Sequence, residues 1–470
     1  MRVAVVNRVI ALHCCLIQCA QLRPFSATQS TCRPFQYAPI HAMSRSVTLT
    51  PAQDSVASFH SILNDYSVKS QVRQISLRTL KDPETDHKGE HRRRYTREPW
   101  LQCVARLAEL HNLEEVHIRF GLRVSVSTHF IHEPVDDVSF RTKTLNTLFN
   151  ALDHVDSKIN TLSIDNLQDL TVGVYNTESF QNVRSRLKSL HLKIAMEWSE
   201  ASPEGDIDIP EKHAFFDQEL TTHWLRPLQG QLTHLSLYAE DFWGVYPRWD
   251  CRQLHFPRLR SLSLGRWSLA HDWQIDWLLA HGDTLEELLL DDCPIAHALQ
   301  FDEWQHRSLQ WGAGEASVGT DGWKVGQIFP SMRWSTVLLQ FGTGLKRLKR
   351  FGIGYGEWDP VYGAEYDLAF DRRYTLQARL VSTRYCMFDY GTLPSPWIQD
   401  FSTQERGESA TSEEDIQYDC VWMMEDDNWD LDTQSWTVPP NLQYPQERER
   451  EQKALDALMK AVAQNRESLR

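Results

Sequence analysis

Apolar residues recur along this chain in a spaced frame, L-x-x-L-x-L, in which two closely set positions alternate with polar ones. The clearest copies are Leu232-x-x-Leu235-x-Leu237, Leu259-x-x-Leu262-x-Leu264 and Leu285-x-x-Leu288-x-Leu290. The same frame stands at Val72-x-x-Ile75-x-Leu77, Leu113-x-x-Val116-x-Ile118, Ile159-x-x-Leu162-x-Ile164, Leu187-x-x-Leu190-x-Leu192 and Leu348-x-x-Phe351-x-Ile353. Alternation with a period of two is the mark of a strand with one buried face, so eight strands are predicted.

The copy at Leu285 continues as Asp291-Asp292-Cys293-Pro294-Ile295, completing L-x-x-L-x-L-x-x-C-x-I. The starts at Ile159 and Leu187, Leu232 and Leu259, and Leu259 and Leu285 lie 28, 27 and 26 residues apart. Those spacings fall within the roughly 20–29 residues of a leucine-rich repeat. Helices are expected between strands: over Ser55 to Asn64, where Phe216, Leu220 and Trp224 step by four, and at Trp273, Trp277 and Leu278, with Gly282 as a C-terminal stop. The predicted fold class is therefore α/β, a leucine-rich-repeat-like solenoid (an irregular horseshoe) with inserted loops and a C-terminal helix. Each unit would leave an apolar face that only its neighbour covers.

Five segments follow from these shifts in pattern. Residues 1–45 form an atypical basic N-terminus, and 46–302 form the solenoid. Residues 303–400 are expected to be irregular terminal repeats acting as a cap, with one further strand over Arg379 to Phe388. The acidic stretch 401–445 is predicted to be partly disordered, whereas 446–470 reads as a helix with Leu455, Leu458, Met459 and Val462 on one face.

Composition narrows the function. The net charge is −14, which argues against a nucleic-acid footprint, since phosphate binding is carried by clustered Lys and Arg. Nine cysteines are present without a C-x-x-C pair. Cys103, Cys251, Cys293, Cys386 and Cys420 read as buried reduced thiols of a cytoplasmic or nuclear protein. No acidic residue precedes Asp54, and the apolar run from Val9 to Ala20 follows Arg2 and Arg8. Either a mitochondrial-type targeting segment or a start misplaced upstream of Met43 accounts for that bias. The run is shorter than the ~20 residues that span a bilayer, so no membrane partner is expected.

Candidate chemistry is sparse. Asp426, Asn428 and Asp430 alternate as in a calcium loop, but the sixth and twelfth positions hold Leu431 and Thr437 instead of Gly and Glu. Arg92-Arg93-Arg94 is diluted by Glu84, Asp86, Glu90 and Glu98, and reads as a solvated loop. Trp422, Trp429 and Trp436 are expected to pack back onto the body. The run Gly352-Ile353-Gly354-Tyr355-Gly356 lacks the later glycine of a dinucleotide loop. No catalytic, cofactor-binding or metal-binding residue is assigned, and the expectation is a protein that is not an enzyme and needs no cofactor. The residues between the leucines instead fall on one strand face. The residues expected to bind protein there are His191, Lys193, His234, Ser236, Tyr238, Glu287 and Asp291.

The order of features resembles fungal F-box proteins with divergent leucine-rich repeats. It is carried by Tyr37 to Ile40, the segment Phe59 to Leu63, Val72 to Leu77, and the frames at Leu232 and Leu285. Arg384 to Asp389 followed by Pro394-Ser-Pro-Trp397, and the helix through Asp456 to Arg466, complete it. The resemblance covers about residues 34 to 470. It implies the substrate-receptor part of an SCF-type ubiquitin ligase, in which repeats select the protein to be modified. The F-box it implies ahead of Tyr37 is missing or truncated, because residues 1–33 show no Leu-Pro start. Docking to a Skp-family adaptor is expected only where a complete F-box lies upstream. The alternatives are an interaction scaffold unrelated to ubiquitin, or an organelle-targeted enzyme with an unrecognised site.

Overall fold

All eight leucine frames are strands, and they are hydrogen-bonded side by side in the order in which they occur. A computed structural model describes residues 45–80, 97–124, 136–154, 156–196, 209–301, 317–318, 326–328, 330–356, 376–381, 384–388, 395–397 and 444–468. The strands are β1 (Ser46–Leu49), β2 (Gln74–Arg78), β3 (Glu115–Arg119), β4 (Thr161–Gln168), β5 (Ser189–Ala195), β6 (His234–Trp243) and β7 (Ser261–Trp267). They continue with β8 (Glu287–Asp291), β9 (Ile295–Phe301), β10 (Ser317–Val318), β11 (Gly326–Ile328), β12 (Arg350–Gly354), β13 (Tyr385–Phe388) and β14 (Ser395–Trp397).

Nine of them form an open, wholly parallel sheet in the order β1-β2-β3-β4-β5-β6-β7-β8-β12. Its register follows the frame. Leu235 stands opposite Leu190 and Leu262, and Leu237 opposite Leu192 and Leu264. Leu235, Leu262 and Leu288 are all fully buried. Parallel strands require a long crossover, and α-helices lie in most of these connections: α1 (Gln53–Asn64), α2 (Tyr66–Lys69), α3 (Glu98–Ala105), α4 (Val138–Leu152), α5 (Glu178–Arg184), α6 (Pro210–Ala214), α7 (Asp272–Leu279) and α8 (Trp334–Gly344), while β6 and β7 are joined without one and α9 (Tyr444–Ser468) follows the last strand. Their starts are fixed locally. Asp137 caps α4 by accepting from the Phe140 amide at 2.7 Å, and Thr177 caps α5 through the Phe180 amide.

Strand leucines and helix residues share one buried cluster, in which large aromatics meet one another. Phe149 meets Phe180 edge-on at 4.9 Å, Phe180 meets Trp224 at 5.0 Å, and Trp249 meets Trp277 at 5.4 Å between ring centres. Such pairs add about 0.5–1.5 kcal/mol each beyond the area they bury.

Three regions add detail to the pattern. The helix expected at Phe216, Leu220 and Trp224 is present as a π-helix, Phe215–Leu225. The four-residue step still puts all three side chains inside, because the wider turn keeps them on one face. Gly282 is not a left-handed stop. It sits three residues beyond α7, where an added Cβ would lie 2.2 Å from the Gly344 carbonyl oxygen, so it allows the turn after α7 to touch the end of α8. Finally, residues 303–400, expected to be irregular terminal repeats, include strands of two sheets. β12 and α8 extend the large sheet, while a second, five-stranded sheet forms in the order β10-β11-β9-β13-β14. The strand expected over Arg379 to Phe388 is β13, and it belongs to that second sheet. β9, which begins at Ile295 only four residues after β8 ends, was not anticipated.

The helix expected over 446–470 is α9, in which Leu455, Leu458 and Val462 are buried and Met459 half-buried. The basic N-terminus, Arg92 to Arg94, the loop at Asp426 and the tryptophans 422, 429 and 436 lie outside the described residues.

Candidate functional site

The face of the sheet opposite the helices is polar. One row across it reads Ser76, His117, Ser163, His191, Ser236 and Ser263, each in register with the next. Two neighbouring pairs in the row are hydrogen-bonded, Ser76 with His117 and His191 with Ser236. Ser76 Oγ lies 3.2 Å from His117 Nδ1, and His117 Nε2 lies 3.1 Å from Asp165 Oδ2, which Arg119 also holds at 2.9 Å. Burial pushes the Asp165 carboxyl up, but His117, Arg119 and Lys193 outweigh it and hold the group well below the usual carboxylate range. Further along, His191 Nδ1 and Ser236 Oγ are 2.9 Å apart, and Tyr238 OH and Ser263 Oγ 2.8 Å. The Tyr238 ring lies over Gly265, where an added Cβ would sit 2.0 Å from it.

Three strands repeat a backbone feature just after their fifth residue. Asn166, Arg266 and Asp292 have φ of 60°, 55° and 50°, and each follows the fifth residue of its strand, at Asp165, Gly265 and Asp291. Side chains there tie neighbouring strands together. Asn166 Nδ2 donates to the Phe120 carbonyl at 2.8 Å, and Cys293 Sγ to that of Leu264 at 3.3 Å. The cysteine of the extended frame thus acts as a strap between repeats. Cys103, Cys251, Cys293 and Cys386 are free and buried, as expected, and Cys420 lies outside the described residues.

Of the seven residues expected to bind protein, His191, Lys193, Ser236, Tyr238 and Asp291 are buried, with exposures of 7% or less. Only His234 and Glu287, at strand starts, are half-exposed. The alternation rule places all seven on the same face, but that face is not an open surface. Its side chains are short, as at Ser236 and Ser263, or are engaged by neighbours, as at His191 and Tyr238. His234 contacts Thr233 Oγ1 at 2.9 Å, and Glu287 accepts from Ser261 at 2.6 Å and Arg350 at 2.8 Å.

Asp291 accepts the Gly356 amide at 2.7 Å. Burial pushes its carboxyl up to about 7, with Asp292 adding to the rise. The folded state therefore keeps a proton that the unfolded chain releases near 3.8. Stability from this group is complete below that value and is lost as pH rises through about 7. Asp291→Asn should flatten the fall of stability across that window, by on the order of a few kcal/mol. Thermal unfolding of both proteins in buffers spanning the window checks this, and an unchanged slope would contradict it.

The accessible polar groups lie one residue before the strands. Thr233, Arg260 and Glu286 precede β6, β7 and β8, and with Arg258, Thr284 and Arg347 they line an open hollow of about 310 Å³. The exposed Arg258 and Arg260 have no ion-pair or hydrogen-bond partner for their guanidinium groups among the described residues. Sequence reading missed this hollow because its residues are scattered from 233 to 347. The one available signal was their shared place in the frame, just ahead of each strand.

Among the described residues, no cluster of three or more His, Cys, Asp or Glu could hold a metal ion, and no helix is long and apolar enough to cross a membrane. No protein-family model matches this chain, and no curated protein matches it in sequence.

Proposed function

We propose that the chain is a leucine-rich-repeat-like solenoid that binds another protein, and that it serves as the substrate-receptor part of an SCF-type ubiquitin ligase. The observation that carries the repeat reading is the register. Eight copies of one frame stack in chain order with their leucines aligned, as successive repeats would. A stack of that kind presents long rows of equivalent side chains, which suits contact with an extended protein surface. The row that can make such contact is the half-exposed one at the strand starts, Glu115, Thr161, Ser189, His234, Glu287 and Arg350. The buried row behind it sets the spacing of these positions. The ligase assignment rests on the resemblance to F-box proteins.

Co-expression with a Skp-family adaptor tests that assignment, using the chain both as given and extended by its upstream reading frame. The adaptor is expected to co-purify with the extended chain. Failure to associate with either form would remove the ligase assignment and leave an interaction scaffold.

A further inference from the structure

We infer that Gly354-Tyr355-Gly356 is a hinge clamped shut by Asp291, and that loss of the Asp291 proton opens it. The device sits where β8 meets β12 and acts independently of any bound partner.

A glycine-rich turn is gripped there at two points. Asp291 Oδ1 accepts the Gly356 amide at 2.7 Å, and the Asp292 amide donates to the Gly354 carbonyl at 2.7 Å. Two consecutive residues at the end of β8 therefore hold both glycines. The approach at Gly356 is close, since an added Cβ would lie 2.5 Å from Asp291 Oδ2, so the backbone rests directly against the carboxyl. Gly354 adopts a φ of 141°, which residues with a side chain rarely reach, and an added Cβ there would lie 2.9 Å from the Arg379 carbonyl oxygen. Movement of the hinge is thus passed to the segment 376–381. Ile353 binds that segment in both directions, its amide donating to the Gln377 carbonyl and its carbonyl accepting the Arg379 amide. Tyr355, between the glycines, is 63% exposed and adds little packing to hold the turn once the clamp is released.

Charge decides when the clamp holds. Asp291 is buried, and the groups around its carboxyl are Asp292 and the Cys293 thiol from its own strand end, Arg266 from β7, and the Gly356 amide beyond β12. Arg266 Nε lies 3.4 Å from Asp292 Oδ2, so that cation is already engaged. An ionised Asp291 would add a second buried negative charge beside Asp292. Burial therefore pushes the Asp291 carboxyl up to about 7, with Asp292 adding to the rise and the Gly356 amide and Arg266 opposing it. Below that value the closed hinge holds a neutral acid. Above it the closed hinge must bury an anion, whereas an open hinge lets water reach a carboxyl that ionises near 3.8. The open fraction should then rise by roughly tenfold per pH unit.

Hydrogen exchange of the purified full chain, corrected for the pH dependence of intrinsic exchange, tests the hinge. Between about pH 6 and about pH 8, protection of residues 354–356 should fall about tenfold, and at each pH it should stay below that of β5 to β7, the mark of a local opening. Asp291→Asn should abolish that fall, because the amide oxygen can still accept from Gly356 and has no proton to lose. Gly356→Ala should lower protection at about pH 6 by at least about tenfold, since its Cβ crowds the carboxyl and props the clamp open. Protection that ignores pH, that equals that of β5 to β7, or that keeps its pH dependence in Asp291→Asn would overturn the inference. A Gly356→Ala chain as well protected as the unaltered one would overturn it too, and this variant decides the matter should Asp291→Asn fail to fold.

Discussion

Leu262→Ala should destabilise the folded chain by about 3–5 kcal/mol, the range for removing a buried leucine where the site cannot collapse. Leu262 has no exposed surface. It lies in register between Leu235 on β6 and Leu288 on β8, so the cavity is walled by two strands of the same stack and by the helix layer. Neither strand can move inward without breaking its own ladder, so relaxation is limited. On the proposed repeat reading each unit is covered only by its neighbours, so the loss should also reduce the cooperativity of unfolding. Urea denaturation measures both, through the midpoint and the slope. Ser189→Ala, at a half-exposed strand start, is the control and should change stability by no more than about 0.5 kcal/mol. A Leu262→Ala loss as small as the control's would contradict the packing described.

Glu451→Ala should be comparably severe, costing about 3–5 kcal/mol, the penalty for breaking a buried ion pair from one side. Glu451 on α9 is fully buried and accepts from Arg384 Nε at 2.7 Å and from Tyr385 OH. Removing the carboxylate leaves the buried guanidinium of Arg384 without its counter-charge. The effect should be local. α9 packs Ala454, Leu455, Leu458 and Val462 into the core, with Asn465 donating to the Leu348 carbonyl at 3.1 Å, so this end of the sheet depends on the helix. Hydrogen exchange should accelerate over 444–468 and 384–388 and stay slow over β5 to β7. Uniform acceleration, or none, would contradict the assignment. Replacing Arg384, Tyr385 and Glu451 together by apolar residues of similar size should restore much of the loss, because no charge is then stranded.

These two sites differ in how far the sequence disclosed them. Leu262 was legible because strand periodicity repeats eight times, and each copy reinforces the reading of the others. Glu451 was not, since one glutamate in a highly charged helix gives no sign that it alone faces inward. β1 escaped notice because Ser46–Leu49 offers only two buried residues. β9 escaped because Ile295 also satisfied the end of the frame, so one residue answered two patterns. The polar face was legible in membership and not in exposure. Alternation assigns His191, Ser236 and Tyr238 to one side of the sheet, but whether that side meets water depends on bonds such as His191 to Ser236, between residues of different repeats. His117 and Asp165 belong to the same face, yet nothing in their spacing announced the 3.1 Å approach between them. The hollow at Arg258 and Arg260 lay beyond reach for a related reason, since its walls come from four separate strand connections.

The order of the strands is the claim on which the rest depends, and distances between spin labels test it most directly. Labels replace residues at the half-exposed strand starts, in a background where other reactive cysteines have been removed. From Glu115 on β3 to Glu287 on β8 there are five inter-strand steps, so the backbone separation should be roughly 24 Å at about 4.8 Å per step. From Gln74 on β2 to Arg350 on β12 there are seven steps, or roughly 34 Å before any curvature of the sheet. The account predicts that separation grows with each strand added in chain order. A Gln74 to Arg350 distance no longer than that from Glu115 to Glu287 would contradict an open parallel sheet stacked in sequence order.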